Sequence, residues 1–202
     1  MPRSSQRTRQ HVLDHAYVLF RSKGYARVSM DAIAAAARVT KRTLYYHFES
    51  KDALLAAVLE EQHRLGLAAF RTFGAGLSGS AQDMVDALFK QLDVWTTRPR
   101  FGGSGFTRLV VELADLPGHP ARAIARRHKS MLESYLADLL TKTGVESPRE
   151  RAREIWLLSE GAISMMLVHG DRRYIRAAAD AAKTLLQASS EKKMHSRGVV
   201  DA

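Results

Sequence analysis

The chain has 202 residues, a length that suits one domain or two small ones and that folds without a disulfide or a structural metal. Hydrophobic residues make up 46% and charged residues 26% of it, close to the average of soluble globular proteins, which disfavours disorder as the main state. Cysteine is absent. The composition therefore excludes a disulfide framework, a thiolate metal site, an iron–sulfur cluster and a cysteine nucleophile.

The positive charge is concentrated near the N-terminus. The formal net charge is +10, and residues 1–51 contain ten Lys and Arg but three Asp and Glu, whereas residues 52–202 contain 21 and 18. Such an asymmetry points to a polyanionic partner for the N-terminal segment. A solvated basic face without a partner would explain the charge equally well.

We expect neither a membrane-spanning segment nor an export signal in this sequence. No apolar run approaches 18 residues, so we predict no membrane partner. The segment from Met1 to Arg7 is polar and leads into a charged helical pattern, which does not fit a secretory signal. We expect a cytoplasmic protein.

Helical spacing of apolar residues dominates the sequence. Strand-like alternation does not persist, so we predict an all-α fold of about nine helices. The predicted helices span 6–23, a short segment capped by Ser29, 41–47, 51 to about 74, 81–97, 106–114, 120–142, 148–168 and 172–188. The segment from Gly74 to Ser80 is the most linker-like.

Two short helices follow the first long one and are joined by the turn 38–40, which is a helix-turn-helix pattern. In the second of them, residues 41–47, Leu44 is the single strong apolar anchor, and Phe48 follows it to close a small core. A helix with so little apolar surface cannot be a core helix. Its length of about 10 Å suits the major groove of DNA.

Three runs of residues resemble a known family. They are Gly24-Tyr25, the segment from Val28 to Ala34, and the segment from Val39 to Leu54, in which a Leu-Tyr-Tyr-His-Phe run is followed by Lys51. Together they resemble the N-terminal domain of TetR-family transcriptional regulators, over about residues 6–65.

The resemblance implies two domains. Residues 1–52 would form a helix-turn-helix DNA-binding domain, and residues 53–202 a helical effector-binding and dimerisation domain. It also implies a ligand-responsive regulator, a repressor by family default. Such a regulator binds a palindromic operator as a homodimer and is released by a small molecule.

The resemblance also places nine side chains at the DNA, and Arg38 is a tenth candidate because its charge could contact a phosphate, although a solvated arginine without a contact fits equally well. Positions 41–43 would face the groove, where an arginine bound to guanine is the commonest specific contact. Positions 45–47 would contact phosphates or the groove wall, and residues at helix starts would set the register on the backbone. The set is Ser29, Arg38, Thr40, Lys41, Arg42, Thr43, Tyr45, Tyr46, His47 and Lys51.

Several of these residues have a second interpretation. Ser29 and Thr40 would cap helices in any protein, and Tyr46 would also fit half-buried packing. Arg38 stands where the family most often has glycine. Either the turn differs here, or Arg38 accepts a left-handed backbone, at a cost on the order of 1 kcal/mol.

The basic residues before the motif are also ambiguous. Arg3, Arg7 and Arg9 could form an arm near the minor groove, or they could be solvated charge without a contact.

Beyond residue 65 only length and helical layout resemble the family. The last two long helices would form the dimer interface, through Leu157, Gly161, Ala162, Met165, Val168, Ala178, Ala181 and Leu185. The expected effector is apolar or weakly polar, because few charged residues face inward in the predicted helices. Its pocket would be lined by Trp95, Phe101, Phe106, Met131, Tyr135, Trp156 and Met166. Ordinary core packing is the alternative for both sets.

No enzyme motif is complete in the sequence. The segment from His11 to His15 has Asp where an inverted zinc-protease motif needs Glu. The segment from Gly102 to Phe106 lacks the last glycine and the preceding strand of a nucleophile elbow, so it is predicted as a loop. His119 and His128 have no carboxylate partner at a useful spacing.

We therefore predict no enzyme activity, no metal and no cofactor. The alternative to a specific regulator is a nucleoid-type protein that binds DNA with little sequence preference and has no small-molecule effector.

Overall fold

The computed structural model describes the backbone of residues 3–99 and 101–198 and the side chains of residues 4–99 and 101–187. These residues form nine α-helices and no β-strand, which confirms the predicted all-α fold. In chain order the helices are α1 (Arg3–Lys23), α2 (Met30–Ala36), α3 (Lys41–His47), α4 (Lys51–Ala75), α5 (Ala81–Thr96), α6 (Gly105–Glu112), α7 (Pro120–Lys142), α8 (Pro148–His169) and α9 (Arg173–Gly198). None of them is both long and apolar enough to cross a bilayer.

Most helix ends lie close to the predicted ones, and α3 and α7 match at both ends. The loop predicted from Gly102 to Phe106 is shorter than expected, because Ser104 caps α6 and the helix begins at Gly105. The predicted end of α9 at Ala188 is also wrong, since the helix continues to Gly198. No proline or β-branched residue interrupts that extension.

The described chain divides into two compact units. The first contains the residues up to Leu67 together with Ser104–His128, and the second contains Ala68–Gly103 together with the residues from Lys129 onward. Both α4 and α7 therefore contribute residues to each unit. This division follows packing, and the functional boundary expected after residue 52 stays a prediction.

The core of the first unit joins the helix-turn-helix to later helices. On α1 an apolar stripe is buried, with Val12 and Ala16 at 0% exposure and Phe20 at 2%. Leu44 of α3 and Leu109 of α6 belong to the same core. The core that holds α3 in place thus includes residues outside the N-terminal segment.

The core of the second unit is built by α5, α8 and α9 with part of α7. α8 packs along α9, and α5 packs against both of them. Ile155 and Ala182 are completely buried there, and Leu186 is 1% exposed. A small residue such as Ala182 lets the helices approach closely.

Two N-caps, one at the start of α2 and one at the start of α3, and one left-handed residue in the turn between them shape the helix-turn-helix. Ser29 accepts a hydrogen bond from Ala32 N at 3.1 Å, and Thr40 accepts one from Thr43 N at 3.0 Å. Arg38 has a φ of 51°, a conformation in which a Cβ is crowded. Of the two alternatives for this turn, Arg38 therefore adopts the strained backbone.

Replacing Arg38 by glycine should stabilise the folded protein by about 0.5–1 kcal/mol. Glycine removes the steric cost of the positive φ, and this gain exceeds its larger loss of chain entropy. Urea denaturation followed by circular dichroism measures the change. Arg38→Ala is the matched control, because it removes the same side chain but keeps the Cβ, and it should bring no gain. If both variants were stabilised equally, the gain in free energy of unfolding would not come from the backbone conformation of residue 38.

Candidate nucleic-acid interface

The third helix exposes almost all of its surface. Leu44 is the one buried residue of α3, at 0% exposure, and Phe48, directly after the helix, is 4% exposed. As predicted, both side chains pack into the core of the first unit. The remaining side chains of α3 are left at or near the surface.

Lys41 and Arg42 start this exposed face but differ in their partners. Lys41 Nζ lies 2.8 Å from Asp31 Oδ1 of α2, and this hydrogen bond raises the pKa of Lys41 above its ordinary value. The two side chains of the pair are 61% and 67% exposed, so the pair is weak. Arg42 is exposed and has no ion pair within the described residues.

The rest of α3 offers hydroxyl and aromatic groups. Thr43 is partly buried, and its hydroxyl shares a 2.8 Å hydrogen bond with that of Thr40. Tyr45 and Tyr46 are 44% and 74% exposed, so the half-buried interpretation of Tyr46 is wrong. His47 is partly buried, and its Nδ1 has no hydrogen-bond partner in the described structure.

Lys51, at the start of α4, contacts Tyr25 in the segment after α1. Its Nζ donates to the carbonyl oxygen of Tyr25 at 3.1 Å and lies 4.2 Å from the centre of the Tyr25 ring. The Tyr25 hydroxyl donates a hydrogen bond to Asp52. Burial of the Tyr25 side chain is the largest cause that raises the pKa of Tyr25 well above its usual range, and this hydrogen bond is the second. The phosphate contact expected of Lys51 stays a prediction.

His119 has a carboxylate neighbour that no local spacing indicates. Its Nε2 lies 3.6 Å from Asp52 Oδ2, too far for a hydrogen bond, and its Nδ1 accepts one from Ala121 N at 3.1 Å. The fold thus gives His119 a carboxylate neighbour that is distant in sequence, and no hydrogen bond joins the two side chains.

Two charged side chains of α6, one turn apart, hold the end of α1. The carboxylate of Glu112 accepts the backbone N–H groups of Tyr25 at 2.9 Å and Ala26 at 2.7 Å. Arg108 donates to the carbonyl oxygen of Arg21 at 2.9 Å. The negative charge of Glu112 thus accepts from N–H donors, and the positive charge of Arg108 donates to a carbonyl. That carbonyl lies in the last turn of α1, where carbonyl groups lack partners within the helix.

The same contact constrains Gly24, which ends α1. Its φ is +84°, and a Cβ at this position would lie 3.0 Å from Glu112 Oε1. Sequence reasoning missed these contacts, because 87 positions separate Tyr25 from Glu112 and no local pattern joins them.

The basic residues at the start of the chain belong to α1, which begins at Arg3. Arg7 and Arg9 are therefore helical, and the guanidinium of Arg9 lies 5.1 Å from the centre of the Phe48 ring. The side chain of Arg3 lies outside the described residues. A minor-groove contact by these residues stays a prediction.

Comparison with known proteins agrees with this geometry. The family model described as bacterial regulatory proteins, tetR family, matches residues 12–58. The HTH-type transcriptional regulator UidR of Escherichia coli K12 is 37% identical over 71 residues, which are 35% of this chain and 36% of UidR. The crystal structure of a TetR-family transcriptional regulator from Streptomyces coelicolor has a TM-score of 0.80 and 28% identity, covering 91% of this chain and 96% of that one. The chain therefore resembles TetR-family regulators, in its N-terminal segment by the family model and in its fold by the solved structure.

A third relative extends the likeness over most of the chain. The HTH-type transcriptional regulator YjdC of Escherichia coli K12 is 25% identical over 179 residues, covering 89% of this chain and 93% of YjdC. The match with UidR, by contrast, spans about a third of that protein's length. TetR-family proteins are transcriptional regulators and not enzymes. The described residues also contain no group of three or more His, Asp or Glu side chains that could hold a metal ion.

The residues that the TetR resemblance assigns to an effector pocket lie in both units. Phe106 belongs to the first unit, where its ring stacks on that of His128 with centres 3.9 Å apart. Trp95 and Phe101 belong to the second unit and contact each other edge to face, with ring centres 4.8 Å apart. Met166 is 7% exposed within the second core, as the packing alternative expects.

An aromatic cluster in the second unit contains two more of the predicted pocket residues. The ring of Phe70 lies edge-on to Tyr135 at 5.7 Å and to Trp156 at 6.1 Å. The ammonium of Lys129 lies 5.6 Å from the Trp156 ring, and the buried indole Nε1 has no hydrogen-bond partner in the described structure. Met131 is partly buried. A role of any of them in ligand binding stays a prediction.

The residues expected at the dimer interface divide by exposure. The exposed members are Leu157, Gly161, Met165, Val168 and Ala181, and Leu185 is partly buried. Leu157 and Val168 are 66% and 71% exposed, and the α8 members share one face by their helical spacing. Ala162 and Ala178 are 5% and 7% exposed within the second core, so the packing alternative applies to them.

Replacing Glu112 by alanine should destabilise the first unit by about 1–2 kcal/mol, because the backbone N–H groups of Tyr25 and Ala26 lose a charged acceptor. Glu112→Gln keeps an oxygen acceptor and should lose less. Urea denaturation measures the loss, and amide hydrogen exchange at the two residues localises it.

The matched control is Asp115→Ala, which removes an exposed carboxylate that has no partner within the described residues. It should change the free energy of unfolding by less than about 0.5 kcal/mol. The same loss in both variants would mean that net charge, and not the two hydrogen bonds, accounts for the effect.

Proposed function

We propose that the chain is a DNA-binding transcriptional regulator, a repressor that binds a palindromic operator as a homodimer and leaves it when a small molecule binds. One observation carries the proposal. α3 buries only Leu44 and exposes a polar face whose length suits the major groove. Its place would be the bacterial cytoplasm, where the DNA is.

The exposed residues of α3 fit two kinds of DNA contact. Arg42 is exposed and unpaired within the described residues, so its guanidinium is available to bind guanine O6 and N7. Lys41 can exchange its weak pair with Asp31 for a base or a phosphate. The exposed hydroxyls of Tyr45 and Tyr46 suit phosphate oxygens, which set the register.

Two features support a homodimer: the short length of α3 and the exposed apolar stripe of α8. One two-turn helix reads only a few base pairs, so adequate specificity requires two copies on a symmetric site. The α8 stripe of Leu157, Gly161, Met165 and Val168 is exposed in the single chain, and burying it against a second copy removes that apolar surface from water.

The effector proposal is supported by the aromatic cluster of the second unit. Phe70, Tyr135 and Trp156 offer apolar ring surface, and the Trp156 indole N–H is a donor without a partner in the described structure. An apolar or weakly polar molecule with one acceptor would match both features. Such a ligand acts by binding more tightly to a dimer geometry that misses the half-site spacing of about 34 Å.

A second candidate function rests on the charge of residues 1–51. Ten Lys and Arg against three Asp and Glu would also let the chain bind DNA through its backbone alone, as a nucleoid-type protein without an effector. Selection of random duplexes at fixed physiological salt separates the two functions. An enriched palindrome favours the regulator, and retention that vanishes with salt without enrichment favours the alternative.

Arg42→Ala should weaken binding to the selected duplex by about 1–3 kcal/mol, which is about 5- to 150-fold in Kd. The reason is the loss of a base contact, so discrimination at one base pair should relax as well. Fluorescence anisotropy with the selected duplex and a scrambled duplex measures both effects.

Arg149→Ala is the matched control, because it removes an exposed arginine that has no ion pair in the described structure and lies on α8. It should leave both affinities nearly unchanged. If Arg42→Ala changed only the salt dependence and weakened the two duplexes alike, the nucleoid-type alternative would replace the regulator.

Val168→Glu should convert the dimer to monomers at micromolar concentration, because it places a charge in the exposed apolar stripe of α8. Sedimentation velocity measures the oligomeric state. Leu116→Glu is the control, since Leu116 is also exposed, at 52%, but belongs to the first unit. A dimer that survives Val168→Glu and dissociates with Leu116→Glu would place the interface elsewhere.

A further inference from the structure

A charged groove lies between α5 and α9 in the second unit. It is open to solvent and has a volume of about 430 Å³. Its floor includes the apolar side chains of Phe89, Ile175 and Ala179, which are 2%, 3% and 9% exposed. Its rim contains five cationic and three anionic side chains, so the rim has an excess of two positive charges.

Ion pairs cross the groove at both of its ends. Arg172, just before α9, donates through Nε to Asp93 Oδ1 of α5 at 2.9 Å, and a second hydrogen bond joins the same two side chains. At the other end Lys183 Nζ lies 3.0 Å from Asp86 Oδ1 of α5 and 3.3 Å from Asp180 Oδ1. The three rim carboxylates are therefore all paired with these two cations.

Two cations in the middle of the groove have no such partner. Lys90 lies on α5 between Asp86 and Asp93, and Arg176 lies on α9 between the residues that form the two ion pairs. Neither has an ion pair within the described residues. The fifth rim cation, Arg173, is paired with Asp171 outside the groove, through its Nε at 2.8 Å.

Lys90 and Arg176 are therefore two rim cations without an ion pair in the described structure, in a groove that is also lined by the apolar side chains of Phe89, Ile175 and Ala179. An anion with up to two negative charges would interact favourably with both cations. A phosphate monoester carries about 1.5 to 2 negative charges at neutral pH. Arginine can bind its oxygens in a fork geometry, while lysine supplies a compact charge.

We propose that the α5–α9 groove binds a phosphate monoester, with Lys90 and Arg176 on the phosphate group and the organic part against Phe89 and Ile175. The proposal concerns the second unit and does not depend on DNA binding by α3.

The test compares four proteins, each as the full chain without DNA. They are the wild type, the double variant Lys90→Gln/Arg176→Gln, the control Lys142→Gln/Arg149→Gln, and Arg42→Ala. The control makes the same change of charge at two exposed residues of the second unit that lie outside the groove. Arg42→Ala reports on anions bound at the helix-turn-helix.

Four probes are titrated at constant ionic strength and followed by amide NMR: phenyl phosphate, benzoate, inorganic phosphate and sulfate. We expect phenyl phosphate to bind the wild type more tightly than the other three. Its Kd should rise about tenfold or more in the groove variant and less than about twofold in the control and in Arg42→Ala.

A second readout is the unfolding temperature at low ionic strength. Phenyl phosphate should raise the unfolding temperature of the wild type and leave that of the groove variant unchanged.

Four results would overturn the proposal. Equal affinity in the groove variant and the control would mean nonspecific attraction to a basic protein. Equal binding of sulfate and phenyl phosphate would mean an adventitious ion only. Loss of binding confined to Arg42→Ala would move the anion to the helix-turn-helix, and a preference for benzoate would replace the phosphate monoester by a carboxylate.

Discussion

The position of α3 depends on one buried side chain. A helix of seven residues is too short to be stable by itself, and Leu44 is the one residue through which it enters the core. Thr40 caps its start, and the buried Phe48 fixes the chain directly after its end. Because a single residue provides the packing, the other six can be polar without weakening the core. The short helix is therefore fixed in position by Leu44 while most of its other side chains stay exposed.

The surroundings of α3 are assembled from distant parts of the chain. Glu112 and Arg108 of α6 bind the backbone at and just after the end of α1, while Lys51 and Asp52 of α4 bind the carbonyl oxygen and the hydroxyl of Tyr25. The contact of Arg108 satisfies a carbonyl that the end of a helix leaves without a partner. The helix-turn-helix is therefore stabilised within a larger unit that includes α6 and the first part of α7. The predicted DNA-binding segment, residues 1–52, and the compact unit that contains it therefore have different bounds.

Charged side chains are distributed and paired differently in the two units. In residues 1–51 cations outnumber anions, and Arg42 remains unpaired in the described structure. In the α5–α9 groove Asp93 pairs with Arg172, and Asp86 and Asp180 share Lys183, so Lys90 and Arg176 are the rim cations without an ion pair in the described structure. Exposed ion pairs contribute little to stability. They do show which of the cations are left without a partner. Local pairing, more than net charge, shows where an anion can bind.

The sequence by itself determined the elements of the fold and the candidate interface. Helical periodicity and capping residues such as Ser29 and Thr40 predicted the helices, and the Leu-Tyr-Tyr-His-Phe run identified α3, because these signals are local. Only the tertiary structure decided which side chains are buried, as Ala162 and Ala178 show, and which distant charges meet, as Glu112 and Tyr25 show. The physical reason is that a hydrogen bond or an ion pair across 87 positions depends on the packing of whole helices, and no local pattern encodes that packing.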